Sequence, residues 1–328
     1  SRPKSYNFPT KIIKGDIVLK DSKAIASVFN EYFSQIGDRL ASEIPDINID
    51  PLIFLPPSQA NSFFLSSVTA KEIEDEIAKL NPSKASGPFS IPVSLLKLLK
   101  CCLSLPLMVI YNLSFSSGCV PDQFKLAQVI PIHKKESVTC LSNYRPISLL
   151  SIFNKILESL VNKRLLSFLN KHDILFQNQF GFRTKHSTMH AALSITDKVQ
   201  KSIEEGQYSC GIFLDFSKAF DTVDHKILLQ KLRNYGIRGI ALDWFASYLS
   251  NRRQFVTIGN TSSDVRSLSH GVPQGSVLGP LLFLIYINDF NRSSTFFDFH
   301  IFADDSNLFL SNHSIFELER LANDNLYL

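Results

Sequence analysis

Hydrophobic spacing along the chain is helical first and strand-like later. A helix is predicted over about 22–42, followed by a proline-rich passage holding Pro45, Pro51, Pro56 and Pro57. Thr69 and Glu72 then form a capping-box pattern, and Ile73, Ile77 and Leu80 recur at helical spacing until Asn81-Pro82 stops the run. Residues 92–116 are apolar and read as mostly helical, interrupted at Pro106. A broad stripe of Ile152, Phe153, Ile156, Leu157, Leu160, Val161 and Leu165 predicts a helix over about 149–170. Further helices fit 187–205, 225–235 and 239–250, with Gly206 and Gly236 as C-terminal stops.

Strand patterns are fewer. Residues 209–216 form a short apolar run ending at an acid. Residues 254–259 and 265–269 read as a hairpin around Gly259-Asn260, and 297–303 and 306–310 flank Asp304-Asp305. Helices early and a small antiparallel sheet late make the predicted fold class α+β.

Composition adds bounds. The chain has 328 residues, 45% hydrophobic and 20% charged, which excludes a mainly disordered protein and leaves one large or two smaller domains open. Five cysteines without a C-x-x-C, two of them adjacent (Cys101-Cys102, read as core residues), argue against a disulfide framework and for a reducing compartment. The apolar run 277–287 is shorter than the ~20 residues a membrane span needs, and residues 1–13 lack the form of a signal peptide. The chain opens on Ser1, as a fragment would. Net charge is +4, and the first 25 residues carry that surplus: Arg2, Lys4, Lys11, Lys14, Lys20 and Lys23 against Asp16 and Asp21. So modest a balance does not exclude a polyanionic partner.

Three acids change the picture. Asp215 ends the run CGIFLDF, and Asp304 and Asp305 interrupt HIFADDSNLFL. Carboxylates at the end of a buried strand and at a tight turn between apolar strands are costly unless compensated. No Lys or Arg adjoins the pair, so a bound cation is the natural compensation. Oxygen ligands suit Mg²⁺, and three carboxylates can hold two such ions about 3.5–4 Å apart. Any one of these acids alone would read as a turn residue or helix cap.

The stretch FLDFSKAFDTV (213–223), then GVPQGSVLGPLLFLIYINDF (271–290), then FADD (302–305) resembles the palm motifs of reverse transcriptases, in that order. Upstream, IPIHKK (130–135), NYRPISLLS (143–151) and QFGFRTKHST (179–188) resemble the fingers blocks, and NPSKASGP (81–88) an earlier block. Together they resemble the non-LTR (LINE-type) retrotransposon enzymes. The resemblance implies a right-hand polymerase fold over 66–328, with a small antiparallel palm sheet packed on helices. Fingers (about 66–205) and palm (about 206–328) would interleave, and the thumb is expected to be absent. Residues 1–65 would be an extension and connector after an upstream endonuclease.

The resemblance also implies roles. Asp215, Asp304, Asp305 and the carbonyl of Phe216 would hold two Mg²⁺, with Mn²⁺ as an alternative. Lys134 (or Lys135) and Arg145 would grip the incoming triphosphate, and Phe220 would exclude a ribose 2′-hydroxyl. Gln274, Gly275 and Ala303 would adjoin the nucleotide, and Arg183 and Lys185 the template. Arg252-Arg253 fit either a phosphate contact or a solvated hairpin. His133 and Cys140 are poorly spaced for zinc. Asp221, Asp224 and Asp289 read as caps or surface charges. One departure stands out: GPFSIP, with Phe89 and Ser90, replaces the family's GPDGIP.

The expected function is RNA-directed DNA synthesis from dNTP on a DNA primer and RNA template, in the nucleus, away from membranes. Two rivals are an RNA-dependent RNA polymerase, whose first motif Asp215-x5-Asp221 superficially fits, and an inactive remnant that binds nucleic acid. Phe220 and FADD rather than GDD argue against the former.

Overall fold

The computed structural model describes residues 8–45, 50–82, 87–88, 91–134 and 136–326. Lys135, Phe89, Ser90 and half of NPSKASGP (83–86) lie outside them. A short hairpin of β1 (Ile12–Lys14) and β2 (Ile17–Leu19) leads into α1 (Ser22–Glu43), capped by the Asp21 side chain. Next, α2 (Ala70–Lys79) starts at the predicted capping box, with both reciprocal bonds between Thr69 and Glu72 present. Its Glu76 is held by Ser159 and Lys163.

Helices α3 (Val93–Leu98) and α4 (Lys100–Ser117) follow. The break falls at Leu99 and not at Pro106, which lies inside α4. A proline there removes one helical hydrogen bond. Burial of Leu107, Tyr111 and Phe115 on the same helix outweighs that loss. Cys101 and Cys102, expected in the core, are exposed on α4.

Strands begin earlier than predicted. β3 (Leu126–His133) and β4 (Tyr144–Leu150) pair antiparallel, with Pro131 directly opposite Pro146. After them come α5 (Ile152–Lys171), α6 (Thr188–Glu204), β5 (Tyr208–Asp215), α7 (His225–Asn234) and α8 (Ile240–Leu249). The predicted hairpin appears as β6 (Arg252–Ile258) and β7 (Thr261–Ser262), and β8 (Arg266–Leu268) also pairs with β6. It joins β3 and β4 in a five-stranded sheet, through a parallel β3–β6 pair, and stands apart from the acids. The chain then forms α9 (Gly279–Ile287), β9 (Asp298–Phe302), β10 (Asp305–Asn312) and α10 (Ile315–Leu326). β5, β10 and β9 make a separate three-stranded antiparallel sheet in that order. The fold is α+β, and among the described residues no helix is long and apolar enough to cross a membrane.

The main core joins α2, α4, α5, α7, α8 and α9 around Trp244 and Tyr248, whose rings stack. A second core packs Ile25, Phe29, Phe33 and Ile36 of α1 onto Val129, Tyr144, Val256 and Ile258 of the five-stranded sheet. Part of the segment expected to be an extension and connector thus packs on that sheet. Phe29 is fully buried, with its ring edge-on to Tyr144 at 4.9 Å. Phe29→Ala should lower unfolding free energy by about 3–5 kcal/mol, read by urea titration. A loss under 1 kcal/mol would mean that α1 is not part of the folded unit.

Candidate active site

Asp215 is the last residue of β5 and Asp305 the first of β10, and the two are direct cross-strand partners. Such partners put their Cβ atoms about 4.5–5.5 Å apart on one face of a sheet. Asp305 also pairs with Phe302 of β9, so Ala303 and Asp304 are the two residues of a tight turn. Ala303 takes φ 57°, a left-handed conformation usually left to glycine at such turns. A loop from the first half of the chain braces it. Gln179 Oε1 accepts hydrogen bonds from the Ala303 N–H at 3.0 Å and the Gly181 N–H at 2.8 Å. On either side of that brace, the Phe180 N–H donates to the Ile301 carbonyl and the Ile301 N–H to the Asn178 carbonyl. A Cβ at Gly181 would collide with the Ala303 nitrogen.

The acids are less buried than their sequence setting suggested. Asp215 and Asp305 are exposed and Asp304 half-buried. β5 is an edge strand whose alternate residues Gly211, Phe213 and Asp215 face outward, with Phe213 71% exposed. Crowding remains costly. The Asp305 carboxyl is pushed above the usual carboxylate range, first by desolvation and then by the charges of Asp304 and Asp215. Among the described residues no three His, Cys, Asp or Glu side chains already form a metal cage. The donors nonetheless fit a hard divalent cation: they are oxygen-only, mutually repelling and open on one side.

A cavity of ≈ 450 Å³ opens beside them. Asp215, Phe216 and Asp304 line it together with Lys134, Arg145, Lys218, Phe220 and Gln274. Lys134 and Arg145 sit at the tip of the β3–β4 hairpin, both exposed, where the Lys134 N–H donates to the Asn143 carbonyl at 2.8 Å. Lys218, which the sequence reading missed, has φ 53° and a Nζ that donates to the Tyr144 carbonyl at 3.3 Å. Burial lowers its pKa, and nearby Asp221 opposes that shift. A second cavity of ≈ 430 Å³ lies against α6, lined by Asp215, Asp305 and Phe302. Asp215 lines both.

Phe220 stacks on Phe283 at 4.6 Å and meets the Phe182 ring edge-on at 6.0 Å, which fixes it at the cleft. The Gln274 carbonyl accepts from the Ser148 N–H at 2.7 Å, pinning its loop to β4. Gly275 follows with φ 119°, and a Cβ there would stand 2.6 Å from the Ser148 oxygen. The same loop is held deeper in the core. The Val277 N–H donates to Glu158 Oε2 at 2.6 Å, and the Tyr248 hydroxyl donates to Glu158 Oε1 at 2.7 Å. Burial pushes the Glu158 carboxyl up.

Other expectations need correction. The Arg183 Nη1 donates to the Phe176 carbonyl at 2.7 Å and the Gln179 carbonyl at 3.3 Å, which ties one arm of the guanidinium to its own loop. Lys185 remains exposed beside it. Arg252 is buried over the Tyr248 ring. Asp224 caps α7 as expected, but Asp289 is buried against Lys231, and Asp221 accepts a hydrogen bond from Gln274. Gly275 and Ala303 adjoin the cleft through backbone and do not line it.

Acids and cations thus line one cleft, the arrangement of a site that handles charged groups. The family model for reverse transcriptase (RNA-dependent DNA polymerase) matches residues 132–324. The chain is 34% identical over 232 residues to the "Probable RNA-directed DNA polymerase from transposon BS" of Drosophila melanogaster, covering 69% of this chain and 25% of that protein. It is also 34% identical over 226 residues to the "RNA-directed DNA polymerase from mobile element jockey" of the same species, covering 69% and 25%. The chain belongs to the reverse transcriptase family, on the side of the non-LTR retrotransposon enzymes. It spans about a quarter of the length of these relatives.

Like-charge crowding gives a direct test. In chelator at pH 7.5, Asp305→Asn should melt at a higher temperature than the parent protein, because one of three repelling charges is gone. An unchanged or lower melting temperature would show that the acids do not repel.

Proposed function

We propose that this chain is the catalytic core of an RNA-directed DNA polymerase, joining a DNA primer 3′-oxygen to the α-phosphorus of a dNTP and releasing pyrophosphate. The direct pairing of Asp215 with Asp305, and the cleft that Asp215 and Asp304 line together with Lys134 and Arg145, carry this reading. In this reading the three-stranded sheet is the palm, and the β3–β4 hairpin belongs to fingers that interleave with it. RNA is the template, the product strand is DNA, and the reaction runs in the nucleus.

Asp215, Asp304 and Asp305, with the Phe216 carbonyl, would hold two Mg²⁺, or Mn²⁺ in their place. Bound there, the ions would activate the 3′-hydroxyl and stabilise the departing pyrophosphate. The remaining work falls to the chain. Lys134 and Arg145 neutralise the triphosphate, Arg145 through a forked donor set. Lys218 adds a third positive charge next to the Asp215 strand. Phe220, held by Phe283 and Phe182, is a fixed ring on the cleft wall that leaves no room for a 2′-hydroxyl.

Primer extension on an RNA template with Mg²⁺ tests this. The protein should incorporate dNTP in preference to NTP. Asp304→Asn should lower the rate by about 10²-fold or more, the scale of removing a charge-stabilising group. Phe220→Val should narrow the preference for dNTP over NTP. An NTP preference in the parent protein, or full activity in Asp304→Asn, would overturn the reading.

A further inference from the structure

Asp221 is joined to the cleft through Gln274. Its carboxylate Oδ2 accepts a hydrogen bond from Gln274 Nε2 at 2.8 Å, while Gln274 itself lines the cleft beside Phe220. The turn carrying Asp221 is anchored: its N–H donates to the Lys218 carbonyl at 2.7 Å, and the Val272 N–H donates to the Phe220 carbonyl at 2.8 Å. Gly271 and Gly37 both approach the Asp221 carbonyl so closely that a Cβ on either would stand 2.9 Å from it.

We propose that Asp221 is a positioning residue for the incoming nucleotide: its carboxylate fixes the Gln274 amide by its nitrogen, leaving the amide oxygen and second N–H to the cleft. This rests on the polymerase reading. An ionised carboxylate only accepts hydrogen bonds, so it admits one orientation of the amide. A protonated carboxyl can also donate, to the amide oxygen, and then the two orientations compete.

The surroundings make that protonation accessible. Desolvation pushes the Asp221 carboxyl up to about 6, against the opposing pull of Gln274 and Lys218. Lys218 from its own turn acts on it directly, and Arg252 from β6 and His270 from the loop after β8 line a small cavity with it. Pro146 and Ser148 of β4 and Phe33, Ser34 and Gly37 of α1 line the same cavity, and Asp38 is engaged by His270 at 2.8 Å. The anchor therefore holds above about pH 6 and loosens as pH falls through that value.

Two measurements on the full chain decide it. The first does not need turnover: the side-chain amide resonances of Gln274, followed by ¹⁵N–¹H correlation from pH 5 to 8. They should titrate with a midpoint near 6 in the parent and in His270→Gln, and not in Asp221→Asn. The second is dNTP KM in primer extension over the same range. The parent KM should rise about tenfold below the midpoint, the equivalent of one charge-assisted hydrogen bond, with a smaller change in kcat. Asp221→Asn should have a raised KM that is flat with pH. Its melting temperature, matched to the parent, excludes simple unfolding.

A titration that survives in Asp221→Asn, or vanishes in His270→Gln, overturns the proposal. So does an Asp221→Asn KM equal to the parent's at pH 8. Amide titration without any extension by the parent would instead indict the polymerase reading and leave the anchor standing.

Discussion

The site depends on one backbone register. β5 and β10 are paired so that the last residue of one strand opposes the first residue of the other, and both are aspartates. A slip of one residue would send one carboxylate to the opposite face, because side chains alternate along a strand. The register is held by eight consecutive pairs, from Asp305–Asp215 to Asn312–Tyr208, and by apolar residues of both strands packed with α10. Charge repulsion at one end of the ladder is thus opposed by hydrogen bonds and apolar burial along its length.

Conformations that would be unfavourable alone are held by partners remote in sequence. The left-handed Ala303 is fixed by Gln179, 124 residues earlier. The glycine-containing loop at 274–277 is fixed by Glu158, 119 residues before Val277, and by the Ser148 N–H. A non-glycine residue in the left-handed region costs on the order of 1–3 kcal/mol and persists only where its surroundings over-determine it. The cleft is accordingly built from short turns, each tied by side chains and backbone groups of another element.

Local pattern made some of this readable and hid the rest. The α2 capping box, the α5 stripe and the FADD hairpin carry signals within a few residues, and they appear where expected. β3 and β4 did not read as strands because Pro131 and Pro146 interrupt them. The structure accommodates both by setting them opposite each other, beyond the stretch where β3 also pairs with β6. α9 is apolar almost all round and has no periodicity to betray a helix. In the site, the three acids were legible from motif order. Lys218, Gln179, Asp221 and Glu158 were not, because their parts arise from contacts with distant segments. Arg183 shows the converse: its basic stretch suggests a phosphate contact, while the loop carbonyls that its Nη1 also serves are invisible in a linear sequence.

The position of α1 separates two boundaries that are often treated as one. The family signature starts at residue 132, yet the sheet bearing Lys134 and Arg145 has its rear surface closed by a helix that ends nearly ninety residues earlier. The packing of that helix is therefore part of what holds the strands beneath Lys134 and Arg145 in place. Homology marks out what is shared among relatives; the cooperative unit is drawn by burial, and here it reaches back to Ile12.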